Sequence, residues 1–299
     1  VRHVGLTLRM AVVGAILAGF YLVAVAAAMV LFGEGILPLA VAGSVLLVGV
    51  QYKVGKWAAL RSVGAEDLPE SQYPRIHRTV ETHSREMGIE KPTLKIARMG
   101  VPNAFAVGRK GAGVVVVSEE LVRLLADDEL EGVLAHELAH IANRDVVTMQ
   151  LGQGIASIVA IAAQWAVLFT GENDLADFFL AIVVGNVVQF IVMIFVLAIS
   201  RYREYVADAD ARRAVGSGEP LARALEKIHQ GNRPGGSTGR RTRGSTGRGG
   251  RGRGGRGSGD AGVDRQVSAL CISSPDRGLL QRIVSTHPPM EKRVERLRS

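Results

Sequence analysis

The stretch that most constrains this chain is Met10–Phe32, MAVVGAILAGFYLVAVAAAMVLF, twenty-three residues without a charge. At about 1.5 Å of rise per residue, a helix of that length crosses a hydrocarbon core of about 30 Å. Only Gly33-Glu34-Gly35 separates it from a second apolar run, Ile36–Tyr52. A cleaved signal peptide has a shorter apolar region and no return span, so residues 10–52 read as a membrane hairpin. Two further blocks, Leu151–Thr170 and Phe178–Ile199, flank the acidic turn GENDLAD and make a second hairpin over 151–199. The expected fold is therefore a mainly α integral membrane protein with four transmembrane helices, carrying a soluble α+β part.

Composition agrees where it is resolved along the chain. The residues are 47% hydrophobic and only 5% aromatic, and much of the apolar content falls in these blocks. The formal charge of +8 is local. Gly231–Gly259 holds eight arginines (Arg233, Arg240, Arg241, Arg243, Arg248, Arg251, Arg253, Arg256), thirteen glycines and no acid, so the rest of the chain is balanced. Such a tract cannot bury a core, and 231–260 reads as a disordered insertion. Without phenylalanine or tyrosine to stack on bases, it fits weak contact with anionic lipid or nucleic acid. The single cysteine, Cys271, excludes an intrachain disulfide framework and reads as a small apolar residue.

Basic residues set the expected orientation. Arg2, Arg9, Lys53, Lys56, Arg61, Arg201 and Arg203 flank one side of the spans, whereas Glu34, Glu172, Asp174 and Asp177 lie in or beside the short turns. The positive-inside rule places both termini and the long soluble segments in the cytoplasm. That soluble part is divided into 53–150, 200–230 and 261–299. Within the spans, Gln153, Gln164, Asn186 and Gln189 either bond to neighbouring helices or line a wet groove.

In the first soluble segment, Pro74–Met87 has helical spacing, and Gly88 suits the position after its last turn. Its His77 and His83 read as solvent-facing or packing residues. TLKIARM, NAFAVG and GVVVVS follow as short β-prone runs, expected to form a small antiparallel sheet. A sheet edge can bind an extended peptide or serve structure alone, and both readings stand at this point.

The chemistry lies in VLAHELAHIANRD. Asp127 and Asp128 precede a helical pattern running to about Asn143, with acids at the positive end of the helix dipole. Residues four apart share a helix face, so His136 and His140 can present two imidazole nitrogens to one ion, with Glu137 at its edge. This is how zinc takes two histidines while a glutamate acts as general base. A catalytic zinc needs a third protein ligand. Glu204 and Asp208, four apart in SRYREYVADADA just after the fourth span, are candidates despite the arginines nearby. Glu204 is the better third ligand, and Asp208 is placed to hold a ligand histidine.

NAFAVG, VLAHELAHIANRDVVTMQ, SRYREYVADADA and STHPPMEKRVERL occur in that order with hairpins between them. In this the chain resembles the HtpX family of membrane zinc endopeptidases, relatives of the CAAX prenyl proteases. The resemblance spans nearly everything but the Gly/Arg tract and implies a zincin-like protease domain with one Zn2+ per chain. By it, zinc is held by His136, His140 and Glu204, and Glu137 is the general base. Asn103, Ala104, Phe105 and Ala106 lie beside the bound peptide, and His287 and Arg293 come to the active site, where both could donate to an oxyanion. The implied substrates are polypeptides, misfolded or damaged membrane proteins cut on the cytoplasmic side. Two other readings remain at this point: a prenyl-dependent processing protease, and a non-catalytic membrane tether for RNA through 231–259. Oligomeric state is not legible.

Overall fold

The computed structural model describes residues 4–172, 174–232 and 288–299. Most of the Gly/Arg tract, Cys271 and His287 lie outside the described residues.

Helices α1 (Val4–Phe32) and α2 (Ile36–Ser62) form the first hairpin, turning at Gly33, whose φ of +82° suits glycine. Helices α6 (Asp145–Thr170) and α7 (Leu175–Val215) form the second. These four are the helices long and apolar enough to cross a membrane among the described residues. Helix α6 is central and packs on α1, α2 and α7. Its Gly152 faces Val196 and its Gly154 faces Val48, at distances that leave no room for a Cβ. Small residues at such crossings let helix backbones approach where lipid supplies no hydrophobic drive. Val23, Leu39 and Val183 point outward, as suits contact with acyl chains. Of the polar residues in the spans, Gln164 packs on Gly185 of α7, Asn186 donates to the Ile182 carbonyl of its own helix at 2.7 Å, and Gln153 is exposed.

The soluble part contains β1 (Glu66–Asp67), α3 (Pro74–Glu86), β2 (Thr93–Ala97), β3 (Ala104–Val107) and β4 (Val114–Ser118). Then come α4 (Glu119–Leu124), α5 (Asp127–Ala142), α8 (Glu219–Gly231) and α9 (Met290–Arg298). The sheet order is β1-β2-β4-β3, with β2 and β4 parallel and the other pairs antiparallel. This corrects the antiparallel expectation. After β2 the chain passes the sheet to lay β3 at its far edge, and a turn through Gly108 and Gly111 brings β4 back between them. Strand β4 is buried at every residue, as a central strand covered on both faces should be.

Those two faces meet different partners. Val115 and Val117 join the main core with α3, α5, α8 and α9. Val114 and Val116 join Phe105, Val107 and the end of α2 through Ala59, Leu60 and Val63. The sheet is thus sandwiched between the site helix and a membrane helix. His83 is buried as a packing residue, its ring nitrogens 3.0 Å from Glu86 and 2.9 Å from Glu131, and His77 Nε2 lies 2.9 Å from the Leu68 carbonyl oxygen.

Helices α5 and α8 touch most closely at Gly132, where an added Cβ would lie 2.9 Å from the Leu221 backbone nitrogen. A Gly132→Val substitution is therefore expected to destabilise the protein by about 1–3 kcal/mol through forced separation of the helices. A lower melting temperature of the detergent-solubilised protein would report it, and an unchanged one would count against this packing.

Candidate metal centre

Helix α5 is apolar and buried on all sides along its middle, so its few polar groups are held rather than solvated. Its first turn carries Asp127, Asp128 and Glu129, which suit the positive end of the dipole. Glu129 accepts from the Ala126 backbone N–H at 2.8 Å and from Lys227 at 2.7 Å, fixing the start of the helix to α8. One turn apart, His136 and His140 then face α7. That helix runs unbroken from the apolar segment into the soluble part, bringing Glu204 and Asp208 opposite them on one face.

The donors converge. His136 Nε2 and His140 Nε2 are 3.1 Å apart, and Glu204 lies 3.5 Å from the first and 3.4 Å from the second. Tetrahedral ligands about 2.0–2.1 Å from a metal ion stand roughly 3.3–3.4 Å from one another, so this spacing fits. The outer nitrogens point the same way chemically. His136 Nδ1 lies 3.0 Å from Asp208 Oδ1, and His140 Nδ1 lies 2.6 Å from Asp145 Oδ2. With Nδ1–H directed at a carboxylate, each Nε2 presents a lone pair inward, toward a point where a cation would be held; Arg293 Nη2 also lies 3.3 Å from His136 Nε2.

Charge leads to the same conclusion. Glu137, Asp145, Glu204 and Asp208 are buried with Arg203 and Arg293, so the cluster is short by two positive charges when the histidines are neutral. Burial opposes protonation of His136, but Asp208 and Glu204 outweigh it and push its pKa up to about 10. His140 is likewise raised, against burial, by Glu204 and Asp145. The site demands positive charge, which a divalent metal would supply.

His136, His140 and Glu204 thus form one cluster able to hold a metal ion. Glu137 is buried beside His136 on α5. Arg293, fully buried on α9, donates through Nε and Nη2 to Asp208 at 2.9 and 2.7 Å, and its Nη1 lies 3.2 Å from Glu204 Oε2. Asn103 is buried, its N–H donating to Ser118 Oγ at 2.9 Å, and it leads into β3 at the sheet edge, against α5. Ala104 and Phe105 are buried and Ala106 partly so. His287 lies outside the described residues.

Two site neighbours escape sequence reasoning. Asp145 follows His140 by five residues, a spacing that no single helix face accommodates. Arg203, which by sequence flanks the spans as a surface cation, is buried against Asp145. A carboxylate just after the histidines was the one signal available.

Comparison with known proteins follows the same lines. The profile of peptidase family M48 matches residues 70–299. Protease HtpX homolog of Halobacterium salinarum is 72% identical over 292 residues, covering 97% of this chain and 100% of that protein. Protease HtpX of Escherichia coli is 34% identical over 269 residues, covering 84% and 82%. The crystal structure of S. mikatae Ste24p superposes with a TM-score of 0.54 at 18% identity, a likeness of fold covering 97% of this chain and 63% of Ste24p.

Removal of a donor should weaken the centre. Glu204→Ala is expected to lower metal affinity by more than about tenfold, read as metal per chain at fixed chelator concentration. The metal-free protein should carry a pH signature as well. His136 titrates at 6.5 in its ordinary state and at about 10 in the fold, so its proton stabilises the metal-free fold fully below pH 6.5. That contribution is lost as pH rises toward 10. The melting temperature of chelator-treated protein should fall across this window, and metal-loaded protein should lack that fall.

Proposed function

This chain belongs to peptidase family M48, and on that premise we propose that it is a membrane zinc endopeptidase cutting misfolded or damaged membrane proteins at the cytoplasmic face. The observation carrying this reading is the convergence of His136, His140 and Glu204 on one point, with a buried Glu137 beside it. Its substrates are polypeptides and its setting is the lipid bilayer. The protease unit is assembled from 53–150, 200–230 and 261–299 around the hairpins 10–52 and 151–199, and the arginines of 231–259 make weak contact with anionic lipid or nucleic acid.

His136, His140 and Glu204 hold the zinc, with Asp208 fixing His136. When bound, zinc supplies Lewis acidity that polarises a carbonyl and acidifies water. Glu137 takes the proton from the attacking water and later gives it to the leaving amine, so no acyl-enzyme forms. The peptide pairs with the free edge of β3 and lies along Asn103–Ala106 in extended form. Support comes from β3 having β4 as its one strand neighbour among the described residues. Arg293 commits Nε and Nη2 to Asp208, and its Nη1, 3.2 Å from Glu204 Oε2, is the guanidinium nitrogen directed at the proposed zinc ligand. It and His287 are the proposed donors to the developing oxyanion.

Glu137→Gln keeps the shape of the side chain and removes its basicity. Cleavage of an unfolded membrane-protein substrate in detergent is expected to fall by about 10²–10⁴-fold. Metal content should stay at the parent level. Retained cleavage with retained metal would sink the role given to Glu137, and elemental analysis of the same sample identifies the metal.

A further inference from the structure

Asp145 and Arg203 are buried like His136 and Glu204 and more so than His140, yet neither belongs to the set that could touch the ion. Asp145 Oδ2 lies 2.6 Å from His140 Nδ1. On its other side Asp145 is gripped twice by one guanidinium: Oδ1 pairs with Arg203 Nη2, and the Asp145 carbonyl accepts from Arg203 Nη1 at 2.8 Å. We propose that Arg203 and Asp145 are a positioning pair that sets the tautomer and ring orientation of His140. The pair also ties the metal centre to the root of the α6/α7 hairpin. This inference rests on His140 being a metal ligand, as in the reading above.

The backbone shows how much structure this contact requires. Along a continuous helix a residue five positions on points about 140° away, so Asp145 could not reach His140 if α5 ran on into α6. Helix α5 instead stops at Ala142, and Arg144 adopts φ 58° and ψ 34°, a left-handed conformation unfavourable for a side chain other than glycine. Helix α6 restarts at Asp145 with its carboxylate turned back toward the histidine. Asn143, beside the turn, donates to Asp210 of α7 at 3.0 Å and helps to hold it.

The other histidine is served in the same way. His136 is backed by Asp208, and Asp208 by the buried Arg293. Each inward-facing imidazole therefore has a carboxylate behind it, and each carboxylate a buried guanidinium behind that. A buried aspartate without its cation would be costly, and the same holds for the cation, so the pair stays assembled. The two routes differ in origin. The route to His136 enters from α9, whereas the route to His140 closes 58 residues of chain that hold α6 and most of α7. A shift of α6 against α7 would loosen Arg203 from Asp145 and free the His140 ring.

The test uses full-length protein in detergent, loaded with cobalt(II) as a spectroscopic stand-in, and measures metal affinity by chelator competition. Asp145→Asn and Arg203→Met are each expected to lower affinity about ten- to a hundredfold and to alter the cobalt absorption bands. The double variant should be no weaker than Asp145→Asn alone, because both act through one contact. Arg203→Lys, which keeps the charge, should recover part of the loss. Unchanged affinity and spectrum in Asp145→Asn would overturn the proposal. Multiplying losses in the double variant would also overturn it, by separating Arg203 from Asp145. Should Arg203→Met fail to fold, Asp145→Asn, which is nearly the same size, still decides. A parent protein that binds metal with these shifts but cuts no peptide leaves the pair standing and fails the proteolytic reading. Parent affinity unchanged by His140→Ala overturns both.

Discussion

Everything around the centre follows from gathering four buried carboxylates, two buried guanidiniums, a buried imidazole and the half-buried one of His140 in one small volume where α5, α6, α7 and α9 meet. Isolated charges are costly away from water, so such a cluster persists only if each member is held by several neighbours. This fits an α5 whose middle is otherwise apolar on all sides, and an α7 that does not break where its apolar segment ends. It also explains why so short a helix as α9 is docked at all. Asp208 and Glu204 both lean on Arg293, Asp145 leans on Arg203, and the imidazoles lie between. The arrangement remains two charges short without a cation, so a metal bound there would stabilise the fold as well as supply chemistry.

What the sequence revealed divides along physical lines. His136, Glu137 and His140 were legible because helical spacing alone puts the two histidines on one face, and Glu204 and Asp208 were legible for the same reason. The four apolar helices announced themselves by length. Asp145 was hidden because it reaches His140 only through a left-handed residue at Arg144, for which a non-glycine side chain gives no warning. Arg203 was misleading, since a cation beside an apolar run looks like a membrane flank. The parallel pairing of β2 with β4 could not be read, because alternation within a strand says nothing about its neighbour. The uninterrupted VVVV of β4 was nonetheless the sign of a central strand.

Membrane and soluble parts share cores here. The end of α2 covers one face of the sheet through Ala59, Leu60 and Val63, and Lys56 donates to the Ala112 carbonyl at 3.0 Å in the turn before β4. At the opposite side of α5, the second hairpin supplies Asp145, Arg203, Glu204 and Asp208. Both hairpins are therefore built into the catalytic part, one beneath the sheet and one beneath the metal centre. A protease cut away from its spans would expose the Val114 and Val116 face of β4 and lose, at its root, the helix that carries Glu204 and Asp208.

The C-terminal helix shows how the charge cluster organises elements remote in sequence. At nine residues α9 is too short to be stable alone, and its apolar contribution is chiefly Val294 and Leu297. Arginines fix it at both ends. Arg293 enters the cluster and engages Asp208 and Glu204, while Arg298 reaches Glu219 and Glu226 on the exposed face of α8. The exposed pairs are screened by solvent and contribute little. The buried arginine contributes through what its absence would leave behind, two carboxylates without their cation beside His136. Docking of the last helix and the geometry of His136 are consequently one event, and a metal ion held by Glu204 would share that carboxylate with Arg293.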